Sequence, residues 1–386
     1  MRGVRFISNL SPPALSISTR LISTLLISAL LISVCLLSAC SPAPSDTLND
    51  YLARLTRALD VSVSDIAKYQ NQKHGVHVNA ALLSTPSRRT LLLETPQQSL
   101  DILEFLRLSN CELGRVIGQQ NSSLGRMAAT SQTMHLQRDL LLSAPECEAR
   151  LVKENPELSQ RVISMMRIKS EARMAYWWNA WFAGLEWSAF NDLTGEPLAL
   201  VLPDTNRDLD DTTPAQATEA AITSLSYAIN QGEAWSAKHY QYDSGQMEQH
   251  LQQLLASEAI GRWRLSQQLL TQLSQQAGDL INLRLGSRPL CPAQRKTPQA
   301  EIVQNVFYKY YAGVVQPYLS KSERFADRLM PLLERAGAMA QPVDDYFQWL
   351  TQIQRERDAL QQAHQYHVEQ WQALLTQCAM MPAGER

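Results

Sequence analysis

Glycine is scarce in this sequence, at 15 of 386 residues, and there are few runs in which β-branched residues alternate with polar ones. Half-buried strands leave such an alternation, so its scarcity argues against a β-sheet protein. Leu, Gln, Ala and Glu are abundant instead, and apolar residues recur at helical spacing over most of the chain. The sequence therefore predicts an all-α fold, a multi-helix array of antiparallel helical hairpins.

An excess of positive charge is also missing. Lys and Arg number 35 against 37 acidic residues; residues 1–39 contain three of the arginines and no acid, so the rest of the chain holds 32 basic and 37 acidic residues. Proteins bind nucleic acid largely through basic surface. Nucleic acid is therefore not expected as a partner.

The common motifs of nucleophilic and zinc-dependent catalysis are missing too. The chain has no serine in a glycine elbow, no serine three residues before a lysine and no zinc-protease helix motif. The serines of QNSSLG have no neighbouring base in sequence. No catalytic residue and no cofactor is expected.

The first 40 residues have the layout of an export signal. Three arginines precede the apolar run LISTLLISALLISVCLL, and a basic start followed by an apolar middle is typical of a secretory signal. Small residues, Ser38 and Ala39, stand immediately before Cys40. This junction resembles the lipobox of bacterial lipoproteins, in which the cysteine thiol takes a diacylglyceryl group and a peptidase cuts before it.

The lipobox resemblance implies a signal peptide at 1–39, a lipid anchor at Cys40, a tether at 40–50 and an all-α periplasmic domain at 51–379. Ser41 rather than aspartate follows the anchor, which in Gram-negative lipoproteins is typical of transfer to the outer membrane. Two or three acyl chains hold a protein far more firmly than one. The alternative is an uncleaved signal anchor, because about 17 apolar residues is the short end of the range for a membrane span.

Four cysteines remain once Cys35 leaves with the signal and Cys40 carries lipid: Cys111, Cys147, Cys291 and Cys378. An even number in an oxidising compartment argues for two disulfides, for which three connectivities exist. Pairing between neighbours in sequence, 111 with 147 and 291 with 378, is favoured. Reduced, buried thiols are the alternative.

The first pairing requires the chain to reverse between its two cysteines. A single helix from 111 to 147 would separate them by about 54 Å, whereas a disulfide needs Cα atoms about 5 to 6 Å apart. The best candidate for the reversal is QQNSSLGRM, where Asn121, Ser122 and Ser123 can cap a new helix and Gly125 weakens the old one.

Leucine spacing and proline positions divide the chain into helices. They are expected over 46–60, 97–119, 123–143, 156–190, from 214, over 244–285 as one long helix, from 298 to 341, and over 343–379. Residues 71–96 are expected to be irregular, with RRTLLLE briefly extended. If the domain has two halves, the acidic loop at 191–212 is the expected seam.

Four tryptophans fall within the expected helix at 156–190: Trp177, Trp178, Trp181 and Trp187. Aromatic residues at helical spacing more often fill a core. The alternative is a pocket for an apolar or sugar ligand, or a partner surface. Asn179 lies among them and needs a hydrogen-bond partner if it is buried.

The acidic run that contains Asp204, Asn206, Asp208, Asp210 and Asp211 has the alternate spacing that begins a calcium loop. Leu209 stands where that loop needs glycine, and Ala215 stands where it needs glutamate. We interpret the segment as a solvated loop.

Two histidine pairs, His74 with His77 and His364 with His367, have a spacing that can serve a transition metal. Two ligands do not make a site, and no cluster of cysteines or carboxylates is evident beside either pair, so no metal site is expected. His367 is expected to hydrogen-bond within the helix packing near Trp371.

The stretches EFLRLSNCELGRVIGQQNSSLGRM and NVFYKYYAGVVQPYL, and the His and Trp of YHVEQWQALLTQC, resemble a gammaproteobacterial lipoprotein family, domain of unknown function 3080. The likeness extends in order over nearly the whole chain after the signal. The resemblance implies a lipoprotein and brings no activity, substrate or cofactor.

The function expected from the sequence is that of a non-enzymatic outer-membrane lipoprotein with a scaffold or partner-binding role in the cell envelope. Its partners would be the membrane, through the N-terminal lipid, and an envelope protein. One alternative is a periplasmic ligand-binding lipoprotein that uses a Trp-rich pocket. Another is an envelope hydrolase.

Overall fold

The computed structural model describes residues 43–61, 75–200 and 214–381, and every regular element within them is helical. The expected all-α array is confirmed. Cys40, the signal segment, the acids at 204–211 and His74 lie outside the described residues, as does part of the suggested seam. From residue 43 onward the chain forms one compact unit.

The helices differ widely in length. They are α1 (Pro44–Leu59), α2 (Arg88–Leu91), α3 (Ile102–Arg107), α4 (Glu112–Asn121), α5 (Ser123–Arg126), α6 (Thr130–Glu154), α7 (Pro156–Glu171), α8 (Arg173–Phe182), α9 (Leu185–Phe190), α10 (Pro214–Ser236), α11 (Ser244–Ser257), α12 (Ala259–Ser287), α13 (Pro298–Val306), α14 (Gln316–Ala340) and α15 (Asp344–Gln377). A π-helical segment, Phe307–Val315, joins α13 to α14.

The longest helices form the centre of the molecule. α12 packs along α15, and α1 lies against α12 and α13. The four leucines of α1 that share one face, Leu48, Leu52, Leu55 and Leu59, are all buried. The apolar spacing that predicted α1 therefore gives the face that joins the main core.

An extended segment, residues 75–79, is held to this centre by side-chain amides instead of by a strand. Gln276, Gln272 and Gln268 of α12 each accept from one backbone N–H and donate to the carbonyl of the same residue, at positions 75, 77 and 79, over 2.7–3.2 Å. Asn49 of α1 does the same for Val76. Residues four apart on a helix rise about 6 Å and residues two apart in a strand about 6.6 Å, so the two repeats match.

A second, smaller core lies between α4, α6 and α7. The disulfide Cys111–Cys147, with Cα atoms 5.6 Å apart, ties the start of α4 to α6. The disulfide Cys291–Cys378, with Cα atoms 5.1 Å apart, ties the segment after α12 to the end of α15. Both are the pairings between neighbours in sequence that were expected.

The expected helix at 97–119 is wrong as a single element. Asp101 begins α3 with a capping box, and its side chain accepts from the N–H groups of Leu103 and Glu104. The chain then turns at 108–111 before α4 begins. A Cβ on Gly114 would lie 2.1 Å from the carbonyl oxygen of Leu108, so the turn packs too closely against α4 for any other residue there.

Three more boundaries differ from the expectation. The expected helix at 156–190 is three helices, with breaks at Ala172 and at 183–184. The expected helix at 123–143 is one turn, α5, followed by α6, which continues to Glu154. RRTLLLE is not extended throughout, because Arg88–Leu91 forms one helical turn capped by Ser87.

The long helix expected at 244–285 is also wrong, because the chain breaks at Glu258. Glu258 has a left-handed φ of 48° and separates α11 from α12. Just beyond the break, a Cβ on Gly261 would lie 1.7 Å from the carbonyl oxygen of Asp192. Tertiary packing against residues 191–192 thus lies at this break, within a stretch that has no leucine between Leu255 and Leu265.

Candidate functional site

The four tryptophans singled out in the sequence fill the main core, and each is at most 2 % exposed. The indole N–H groups of Trp177, Trp178 and Trp181 donate to Ala228 O, Leu91 O and Gln231 Oε1 over 2.6–2.9 Å. A partner surface made by these four residues is therefore wrong: their rings are covered and those three N–H groups are already used.

Asn179, the polar residue among them, has the partner that its burial requires. Its side-chain amide accepts from the N–H of Leu93 and donates to the carbonyl of Leu93, both at 2.8 Å. This is the amide arrangement seen along residues 75–79, and it fixes the chain after α2 against α8.

An open cleft of about 680 Å³ lies between residues 84–86 and the first three turns of α15. Phe347 and Trp349 give it an aromatic side, and Asp345, Gln352 and Arg355 are among its polar lining. Aromatic rings with a few polar groups beside them are typical of ligand sites. Its volume and lining make this cleft a candidate ligand site.

Trp349 connects the cleft to the tryptophan core. Its ring meets Trp187 edge to face, with centroids 5.7 Å apart, and the residue is 3 % exposed. Its indole N–H has no hydrogen-bond partner among the described residues. Buried indole N–H groups usually have one, so Trp349 places an unpaired donor in the core beside the cleft.

A buried ion pair braces the two walls of the cleft. Arg264 of α12 donates through Nε and Nη2 to both carboxylate oxygens of Glu356, at 2.9 and 2.7 Å, and through Nη1 to Ser84 O at 2.8 Å. A bidentate arginine–carboxylate pair is geometrically specific. It fixes residue 84 relative to α15, and so keeps the cleft preformed.

Sequence reasoning missed this cleft because its walls are far apart in the chain. Residues 84–86 lie in a segment that the sequence predicts to be irregular. The apolar spacing over 343–379 predicts a helix but does not indicate a cleft beside its start. Trp349, an aromatic residue near the acidic start of α15, was the one indication of a site in the sequence. It gave no indication that residues 84–86 lie opposite it.

His367 hydrogen-bonds near Trp371, as expected. The residue is fully buried, and its Nε2 lies 3.0 Å from Tyr51 Oη, which also accepts from Trp371 Nε1 at 3.2 Å. Burial lowers the pKa of His367 to about 3, with the neighbouring His364 as a smaller cause. The imidazole is therefore neutral at pH 7, and its Nδ1 has no hydrogen-bond partner among the described residues.

The π-helical segment supplies the rest of this aromatic cluster. The Tyr311 ring lies edge-on to His367, with centroids 4.8 Å apart, and stacks with Trp371 at 6.1 Å. NVFYKYYAGVVQPYL and the His and Trp of the last helix, two of the three resemblance stretches, thus meet in one place. Their arrangement locks α1 to α15.

The reversal between Cys111 and Cys147 lies where QQNSSLGRM predicted it. α4 ends at Asn121, and Ser122 caps the next turn, since its Oγ accepts from Gly125 N at 3.1 Å and donates to Gln119 O at 2.7 Å. A Cβ on Gly125 would lie 2.3 Å from Gln119 O. Of the expected cap residues, Ser122 is the one that caps, and Ser123 is the first residue of α5.

Large apolar side chains are exposed on the two short helices beside this turn. We call them the apolar face: Ile102, Leu103, Leu106, Leu124 and Met127, which are 56–87 % exposed. α5 packs on α4, and α3 is held to α4 by Phe105 over Gly118. Both short helices are thus held to α4, which is one of the helices that form the smaller core.

Within residues 43–61, 75–200 and 214–381, no group of three or more His, Cys, Asp or Glu is arranged to hold a metal ion. His364 and His367 therefore gain no third ligand there. No helix in the same residues is both long enough and apolar enough to cross a bilayer.

A family model described as "Protein of unknown function (DUF3080)" matches residues 48–382, which confirms the resemblance seen in the three stretches. No curated protein matches the chain. No solved structure matches it either.

Proposed function

We propose that this chain, which belongs to the DUF3080 family of proteins of unknown function, is a non-enzymatic lipoprotein that binds another protein of the cell envelope. In this proposal Cys40 carries the lipid that anchors it in the outer membrane, and the helical body lies in the periplasm. The basic and apolar N-terminus ending in a lipobox-like junction supports export and anchoring. Two disulfides support an oxidising compartment.

The apolar face carries the partner-binding part of the proposal. Clustered large apolar side chains at the surface of a soluble protein mark interaction sites more often than scattered ones do. Here five of them come from 26 consecutive residues, 102–127, and the disulfide Cys111–Cys147 stabilises the core behind them. A partner that covers this face would bury side chains that are now in water.

Site-specific photo-crosslinking in intact cells tests this role. A photoreactive amino acid at Leu103 or at Leu124 should give the same discrete crosslinked species, whereas one at the exposed Gln354 of α15 should not. Met127→Glu should remove the Leu103 crosslink. Absence of a discrete species at both leucines, or the same species at all three positions, would contradict the proposal.

The cleft beside Trp349 favours a second candidate function, which is binding of a small polar ligand such as a sugar. The Phe347 ring and the polar side chains that line the cleft beside it support this function. Soluble saccharide fragments of the envelope should then raise the unfolding temperature of the protein, and Phe347→Ser should abolish the effect. Ile302→Ser, at an exposed apolar position on α13, is the matched control and should leave it intact.

A further inference from the structure

A small, largely enclosed cavity of about 130 Å³ lies where α4, α6, α7 and α8 approach residues 95–100. Its volume is close to the roughly 150 Å³ of an engineered cavity that holds benzene. It therefore has room for a molecule of a few non-hydrogen atoms. The side chains that matter for its chemistry are Gln120, Asn121, Thr133, Gln137, Lys169 and Tyr176.

Lys169 is the one charged residue among those that line the cavity. It is 5 % exposed, and none of the described carboxylates forms an ion pair with it. Its ammonium lies 5.8 Å from the centroid of the Tyr176 ring, and burial lowers its pKa. A buried charge without a counter-charge is costly, so an anion that entered the cavity would be stabilised.

Gln137 provides a second unsatisfied group in the same wall. The residue is 1 % exposed, and its Oε1 has no hydrogen-bond partner. Buried polar atoms nearly always have one. As an acceptor, this oxygen can pair with a water or a hydroxyl but not with a carboxylate oxygen, so Lys169 alone provides the attraction for an anion in this small space.

We propose that this cavity binds a small monocarboxylate, whose charge pairs with Lys169 and whose remaining lone pairs accept from the neighbouring amides. One ammonium balances one negative charge, which favours a carboxylate over a doubly charged phosphate. Gln120 and Asn121 can supply amide donors. They belong to the QQNSS turn, so the polar residues of this turn gain a role besides capping. The inference does not depend on the lipid anchor or on the apolar face.

Acetate and acetamide separate charge recognition from shape, since the two molecules are nearly isosteric. With the full-length protein in detergent micelles, acetate should raise the unfolding temperature in a saturable manner. Acetamide, and sodium chloride at equal ionic strength, should not. Lys169→Met should weaken the acetate response at least about tenfold in concentration, and Lys153→Met, the same change at an exposed position on α6, should leave it unchanged.

If Lys169→Met does not fold, an NMR experiment on the wild-type chain tests the proposal instead. In protein labelled with ¹³C-lysine, the Lys169 ε-methylene signal, identified by its contact with the Tyr176 ring, should shift on addition of acetate while the other lysine signals stay. An equal response to acetate and acetamide would overturn the proposal. So would a Lys169 signal that does not move, which would mean that the cavity holds only water.

Discussion

Among single residues, His367 ties the stability of the protein to pH. Its pKa is lowered to about 3 in the folded chain, whereas an unfolded histidine titrates near 6.5. The unfolded chain therefore binds a proton that the folded chain does not, and stability falls as the pH falls from about 6.5 toward 3. At pH 7 and above this loss is absent.

His367→Gln should flatten this dependence. Between pH 8 and pH 5 the wild-type free energy of unfolding should fall by about 2 kcal/mol more than that of the variant. Urea unfolding at each pH measures the difference. His239→Gln, at an exposed position, should behave as the wild type. Parallel curves for wild type and His367→Gln would contradict a buried, neutral His367.

At the scale of elements, two glycines of α12 should respond to alanine in opposite ways. A Cβ on Gly261 would meet the Asp192 carbonyl oxygen at 1.7 Å, whereas a Cβ on Gly286 meets nothing within 4 Å. Gly261→Ala should cost about 1 to 3 kcal/mol through overpacking. Gly286→Ala should be neutral or stabilise by up to about 1 kcal/mol through helix propensity.

Denaturant unfolding of the two variants and the wild type checks this prediction. Equal effects of the two substitutions would show that the 191–192 segment does not press on α12 as described. Because both glycines lie in α12, any effect on stability that is common to the whole helix cancels when the two variants are compared.

Helices could be predicted from the sequence where residues within or next to the helix determine its position. Leucine spacing predicted α1 and α15. The expected helix start at residue 156 was confirmed as the start of α7, where Asn155 Oδ1 accepts from Leu158 N at 3.1 Å. The break at Glu258 was not predicted, because leucines on both sides of it, up to Leu255 and from Leu265, suggest one helix and a single glycine, Gly261, does not by itself end a helix. Packing of distant segments decides such positions.

At the candidate sites, too, a contact within one helix could be predicted from the sequence, whereas contacts between distant segments could not. Hydrogen bonding of His367 near Trp371 was predicted, because the two are one helical turn apart and large aromatic neighbours indicate burial. The cleft at Trp349 and the cavity at Lys169 join residues far apart in sequence. No spacing rule in one chain brings residues 84–86 to α15, or Gln120 to Lys169.

On the scale of the whole molecule, each of the two disulfides should make a substantial contribution to the free energy of unfolding. In the chain-entropy model, loops of 36 and 87 residues correspond to about 4 and 5 kcal/mol. Replacing either cysteine pair by serines should lower the free energy of unfolding by a similar amount before any strain. A loss below about 1 kcal/mol for both pairs would show that helix packing alone holds the array.

Lipid attachment at Cys40 is the central claim, and metabolic labelling with radioactive palmitate tests it most directly. The full-length wild-type protein and Cys35→Ser should both incorporate label and migrate at the size of the processed chain. Cys40→Ser should incorporate none and stay at the precursor size. If Cys40→Ser is labelled as strongly as the wild type, or reaches the same size and stays with membranes after a carbonate wash, the account is wrong.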